Sequence, residues 1–169
     1  MIHGDNPFVE APEQRDPVRR FRGRLPAAVT IVTAGHGEHR TGLTVSSLNI
    51  VEGDPGSIHL VVGPTSDLWD VVADTGSFIV HVCRSDDRHL AETFAGMRPS
   101  PGGPFAGLEI HESSHGPVIQ RLPDRASCRY LERSEIGYTG IVVGTIDSVS
   151  LADSIDPLVY FRGRFRELT

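Results

Sequence analysis

The chain of 169 residues contains no lysine, so all 16 of its basic side chains are arginines. Chemistry that needs a lysine of this chain is thereby excluded: a Schiff base to pyridoxal phosphate or to a carbonyl substrate, and a Walker-type phosphate loop. Cysteine is scarce. Cys83 and Cys128 stand far apart, without CxxC spacing and in apolar surroundings such as FIVHVC, and they read as buried free thiols. No run of about 18 apolar residues occurs, and the opening MIHGDNPFVEAPEQRD has no apolar core of signal-peptide length, which points to a cytoplasmic protein without a membrane span. The sequence also lacks a GxSxG elbow, a GxGxxG after a strand, and a carboxylate pair placed for glycoside hydrolysis. With 22 acidic side chains and a net charge of -6, a broad nucleic-acid or anionic-membrane surface is disfavoured, while a local arginine patch stays open.

What is present is a globular balance, 38% apolar and 22% charged, in a length suited to one core. Its 18 glycines and 12 prolines imply many turns and short elements, hence β structure. Residues 1–16 are proline- and acid-rich and read as an N-terminal arm, with 17–169 as the single domain. Asp16-Pro17 predicts a capped helix whose Val18, Phe21 and Leu25 form an apolar stripe ended by Pro26. A hairpin follows, from strands over 27–34 and 40–48 joined by Gly35-His36-Gly37. The run 58–62 reads as a strand buried on both faces, and a helix opens after it with Thr65 or Ser66 as its cap. Then come a strand over 77–82, a helix from Ser85 to a stop at Gly96, and a long irregular loop over 97–107 suited to function or an interface. Strands over 126–135, 140–151 and 158–166 complete the chain. The fold class expected is mainly β: a split β-barrel of about seven mostly antiparallel strands, Greek-key-like, with short flanking helices.

Three patterns bear on chemistry. FRGR occurs at Phe21–Arg24 and again at Phe161–Arg164; the arginines either lie over the surface on apolar stems or clamp a phosphate or carboxylate. His111-Glu112-Ser113-Ser114-His115 matches HExxH literally, but Ser113-Ser114 are weak helix formers and Gly116-Pro117 follows at once, so a polar loop is expected rather than a zinc site. Thr41–Ser47 is rich in hydroxyls at a strand end, with Thr44 and Ser46 on one face, and Thr65-Ser66 opens a helix where unsatisfied amides favour an anion. Each hydroxyl pair reads alone as a cap or turn; together they suit a phosphorylated cofactor.

The order and spacing of AVTIVTA, TGLTVSSLNIVEGDPGSIHLVV, SFIVHV, LAETFAG, GIVVGTID and PLVYFRGRFR resembles the flavin reductase-like family. These are FMN-binding split barrels that include the reductase components of two-component flavin monooxygenases. The resemblance spans about Val18 to Arg166. It implies a homodimer binding FMN, with FAD as the alternative, with NAD(P)H as co-substrate and a monooxygenase as a partner. By the same resemblance Thr44, Val45, Ser46 and Ser47 lie against the ring edge and ribityl chain, and their backbone amides reach the flavin ring. Thr65 and Ser66 take the phosphate, Phe94 and Gly96 belong to a helix end approaching the flavin, and Arg164 lies near the site. No catalytic residue is implied, since the flavin carries the redox chemistry.

Two positions depart from the pattern. Where many members carry Gly-Asp-His, this chain has Gly137-Tyr138-Thr139, so an imidazolium that would face the nicotinamide nucleotide is missing. The further hydroxyl expected two positions after Ser66 is replaced by Leu68, with Trp69 beside it, and Arg84 is the residue expected to compensate. The leading expectation is an NAD(P)H:flavin reductase. The alternative is a flavoprotein that uses another reductant or substrate, or that stores or senses flavin.

Overall fold

The structure, a computed structural model, describes residues 16–153 and 156–168. Apart from Asp16, the expected N-terminal arm lies outside the described residues. Among these residues three helices, α1 (Pro17–Arg22), α2 (Asp67–Thr75) and α3 (Arg88–Phe94), accompany twelve strands. The first six are β1 (Ala27–Ala28), β2 (Thr30–Ala34), β3 (Thr41–Val45), β4 (Leu48–Val51), β5 (Ser57–Val62) and β6 (Ser77–Val82). The others are β7 (Ile110–Ser113), β8 (Gly116–Ile119), β9 (Arg125–Ile136), β10 (Thr139–Ser150), β11 (Leu158–Phe161) and β12 (Arg164–Glu167).

Seven strands form one curled antiparallel sheet in the order β3-β2-β6-β9-β10-β5-β4, which is the expected split barrel. Of the remaining strands, β1, β11 and β12 arise where an expected single strand divides, and β7 and β8 form where no strand was expected. The run 27–34 breaks at Val29, because β1 pairs with β11 while β2 pairs with β3 and β6. The run 158–166 folds back at Arg162-Gly163, both at positive φ, making the β11–β12 hairpin. Register shifts between Val143/Gly144 and Ile146/Ser148 curl the long β9–β10 ribbon.

Alternation along fully buried β2 serves two cores. Val32 and Ala34 join Leu60, Leu68, Trp69 and Phe78 inside the curl, plugged by α2. Val29 and Ile31 join Ala91, Phe94, Ile119 and Leu158 beneath α3 and the small sheets. The strand β5 departs from the expectation of burial on both faces. Ile58, Leu60 and Val62 point into the core, but Val61 is 41% exposed because nothing among the described residues covers its other face.

Asp16 caps α1 as expected, accepting a hydrogen bond from Val18 N at 3.0 Å. The helix stops at Arg22, however, and Val18, Phe21 and Leu25 are 72%, 66% and 57% exposed, so the apolar stripe packs on no core among the described residues. The cap of α2 also differs. Ser66 occupies the cap position, yet its hydroxyl donates to Gly63 O at 2.8 Å. The helix expected from Ser85 begins as a 3-10 turn, and Asp87 rather than Ser85 organises its start, accepting from Arg84 N at 2.8 Å and from Arg121 Nε at 2.7 Å. Gly96, at φ 68°, ends α3 as expected.

The HExxH segment is neither helix nor loop. It forms the β7–β8 hairpin, held by Ser113 Oγ donating to Gly116 O at 2.8 Å. His111 is exposed, and His115 Nε2 lies 2.9 Å from Asp147 Oδ2. Among the described residues no three His, Cys, Asp or Glu side chains are grouped to hold a metal ion, and no helix is long and apolar enough to cross a membrane.

Candidate functional site

The turn from β3 to β4 is where the chain gathers its polar groups. Thr30 Oγ1 donates to Val45 O at 2.6 Å, and Val61 N donates to Ser47 O at 2.8 Å, so the turn is fastened to β2 on one side and to β5 on the other. Thr44 Oγ1 donates to Ala91 O at 2.7 Å, tying the same turn to the last turn of α3. Arg22 Nη2 donates to Ser47 Oγ at 3.1 Å, which brings the exit of α1 to the turn as well. Four elements distant in sequence therefore meet at Thr44–Ser47.

Ser46 and Ser47 line an open cleft of about 920 Å³, within the range of small-molecule sites. Its other polar walls are Arg19, Arg20, Arg22 and Arg24 from α1 and its exit, and Arg162 with Tyr160 from the β11–β12 hairpin. Among the described residues no carboxylate lines it. Among the described residues, ion pairs engage Arg40, Arg84, Arg88, Arg98, Arg121, Arg129 and Arg133, but none of the five cleft arginines.

The other expected site residues scatter around this cleft. Val45 is buried in the inner core, so only its backbone faces the turn. Thr65 is exposed at the β5–α2 connection, a few residues beyond Val61, beside Ser66, whose hydroxyl is engaged with Gly63 O. Asp67 and Asp70 occupy the first turn of α2, where their charge complements the helix dipole and opposes a second anion. Arg84 is turned toward Asp124, 3.9 Å away, on the side of β6 and β9. Phe94 is a core residue, edge-to-face with Phe105 at 5.0 Å, and its contribution is to set where α3 ends. Gly96 is exposed at that end, and Arg164 is exposed opposite Phe161 in the hairpin, next to Arg162.

Reading by strands and caps passed over Arg19, Arg20, Arg24 and Arg162 as individual site residues. The signal was the doubled FRGR tetrad, whose two copies line the same cleft. Both cysteines are buried free thiols, as expected. Burial pushes the Cys83 thiol up, and the Cys128 thiol up to about 12.

A family model described as "Flavin reductase like domain" matches residues 22–169. The chain belongs to this family. It is 31% identical over 157 residues to the NADH-dependent FMN reductase AsuE2 of Streptomyces nodosus subsp. asukaensis, covering 91% of this chain and 85% of that protein. It is 29% identical to the reductase component of 4-hydroxyphenylacetate 3-monooxygenase from Thermus thermophilus, covering 91% and 97%. It is also 32% identical to the actinorhodin polyketide dimerase of Streptomyces coelicolor, covering 89% and 85%. The fold matches the NADH:FAD oxidoreductase SgcE6 of Streptomyces globisporus with a TM-score of 0.81 at 24% identity, over 95% of this chain and 97% of that one.

Proposed function

We propose that this flavin reductase-like protein takes reducing equivalents from NAD(P)H, passes them to FMN or FAD, and supplies the reduced flavin to a partner monooxygenase or another acceptor. The observation that carries the reading is the Thr44–Ser47 turn, fastened by four elements and opening onto a cleft whose arginines make no ion pair among the described residues. Its donor set suits a flavin nucleotide: two hydroxyls and backbone amides for the ring edge and ribityl chain, and guanidinium groups for phosphate. Ser46 and Ser47 are the side chains that hold the cofactor, with the backbone of Thr44 and Val45. Thr65, Ser66, Gly96 and Arg164 flank them, Phe94 sets the end of α3, and Arg84 stays a candidate phosphate partner. Bound flavin supplies the hydride-accepting centre, and the chain positions it. The relatives from Streptomyces nodosus and Thermus thermophilus support the NADH reaction and the monooxygenase partner.

A homodimer belongs to the same proposal. Val61 on the outer face of β5, Ile136 and Tyr138 at the β9–β10 turn, and the uncovered stripe of α1 are large apolar groups that water does not favour. Residues 17–169 act as the single domain, with 1–16 as its arm. The two free thiols suit a cytoplasmic location.

The deciding measurement is anaerobic mixing of the flavin-loaded protein with NADH and, separately, NADPH, following the visible absorbance of oxidised flavin. Bleaching by either nucleotide supports the reductase. If the flavin binds but stays oxidised with both, the second reading holds: a flavoprotein with a different reductant or substrate. That reading is favoured by Tyr138, 103% exposed at the turn where the related Gly-Asp-His motif places its charged residues, and by the kinship with a polyketide dimerase.

A further inference from the structure

The two FRGR tetrads have one structural role between them. Phe21–Arg24 closes α1, and Phe161–Arg164 turns β11 into β12, yet arginines of both line the cleft that Ser46 and Ser47 enter. In a chain with 22 acidic side chains and a net charge of -6, no carboxylate of the described residues lines this recess. Like charges gathered around one concavity repel each other, and a multivalent anion relieves that repulsion.

The cations are all guanidiniums, planar forks that grip phosphate oxygens in bidentate fashion. Five forks offer many more donors than the terminal oxygens of one phosphomonoester accept. The other anion-binding place near the turn, the start of α2, already carries Asp67 and Asp70. The electrostatics therefore direct negative charge away from α2 and toward α1. The recess is concave and bounded by Tyr160 and Ser47, which suits a small molecule rather than the extended backbone of a nucleic acid.

From this we infer that Arg19, Arg20, Arg24 and Arg162 form a diphosphate subsite. It holds the phosphate chain of a dinucleotide whose reacting ring lies at the Thr44–Ser47 turn. The inference rests on the proposed flavin site and adds the class of ligand that site selects: a dinucleotide in preference to a mononucleotide. Two sources share the chemistry, the diphosphate of FAD and that of NAD(P)H. Arg22, hydrogen-bonded to Ser47 Oγ, joins the subsite to the turn.

The test compares the full chain with an Arg19→Ala/Arg20→Ala/Arg162→Ala variant, whose three side chains are exposed and whose melting temperature reports that the fold is kept. Calorimetric titration uses ADP as a diphosphate carrying neither flavin nor nicotinamide, then FMN and FAD. Steady-state kinetics with NADH follow. ADP affinity should fall about tenfold or more in the variant, and the wild-type affinity should weaken steeply with salt. FMN affinity should fall by a smaller factor than FAD affinity, because a single phosphate engages fewer of the forks. A selective loss of FAD affinity identifies the flavin as the source, and a raised KM for NADH at unchanged kcat identifies the reductant. The matching Arg→Lys variant keeps the charge and loses the fork, so it should recover only part of the affinity. Unchanged ADP, FAD and NADH behaviour in the alanine variant overturns the subsite. Wild-type protein that binds ADP through these arginines but neither FMN nor FAD would sink the flavin reading and leave the subsite standing.

Discussion

At Gly140 the missing side chain matters more than backbone freedom. A Cβ there would lie 2.2 Å from Trp69 Cζ3, inside the ring that plugs the barrel, and Arg133 stacks on that ring at 4.8 Å while donating to Trp69 O. Gly140→Ala should therefore cost about 1–3 kcal/mol, read as a lowered midpoint in urea, because a buried indole has no free direction in which to retreat. Thr44 is a different kind of residue. Its position suggests a flavin contact, yet its hydroxyl is engaged with Ala91 O. Thr44→Val keeps the shape and strips that bond, so it should lose about 1 kcal/mol of stability and also weaken flavin binding through the displaced end of α3. Equal flavin affinity in the variant and the wild type would separate the two roles. That Thr44 would stand at this turn was legible from the strand pattern. Its partner was not, since Ala91 lies far along the chain and a carbonyl carries no signature in sequence.

Elements are joined by a few polar bonds that titrate. His81 on β6 is fully buried, with Nδ1 donating to Ile31 O and Nε2 accepting from Ile119 N, each at 3.1 Å, so it ties β2 to β8 only as the neutral ring. Burial lowers its pKa to about 4. The unfolded chain takes up a proton near pH 6.5 and the folded chain does not, so stability should fall by about 1.4 kcal/mol per pH unit from about pH 6.5 down to about 4 and then level off. His81→Gln should flatten that slope in denaturation curves measured at a series of pH values. The β7–β8 hairpin is held from the far side. Arg129 first, then His115, keep the Asp147 carboxyl below its usual range, and this pairing fades only at more acidic pH. Being exposed, it is worth little globally. Asp147→Asn should appear chiefly as faster amide exchange over residues 110–119. The HExxH match misled as to this element's form, because alternation over only a few residues is too short to distinguish strand from loop without its partner strand.

At the scale of the whole molecule, two surfaces stand uncovered among the described residues: the apolar faces at α1 and Val61, and the arginine cleft. If a second copy covers the first, a Phe21→Glu/Val61→Glu variant should sediment as a monomer while the wild type sediments as a dimer, and an unchanged wild-type monomer would remove the homodimer from the proposal. By itself the sequence determined most of the antiparallel strands, though not the β7–β8 hairpin, together with the helix starting at Asp16-Pro17, the buried reduced cysteines and the hydroxyl-rich turn. All of these follow from local pattern: period-two alternation, caps, and glycine and proline punctuation. Only the tertiary structure decided that Val29 divides one strand between two sheets, that Val61 faces outward, and that both FRGR tetrads reach the same recess. Each of these depends on which distant segment becomes a neighbour. Burial and charge clustering belong to the assembled surface, where residues separated by more than a hundred positions in sequence come to share a wall.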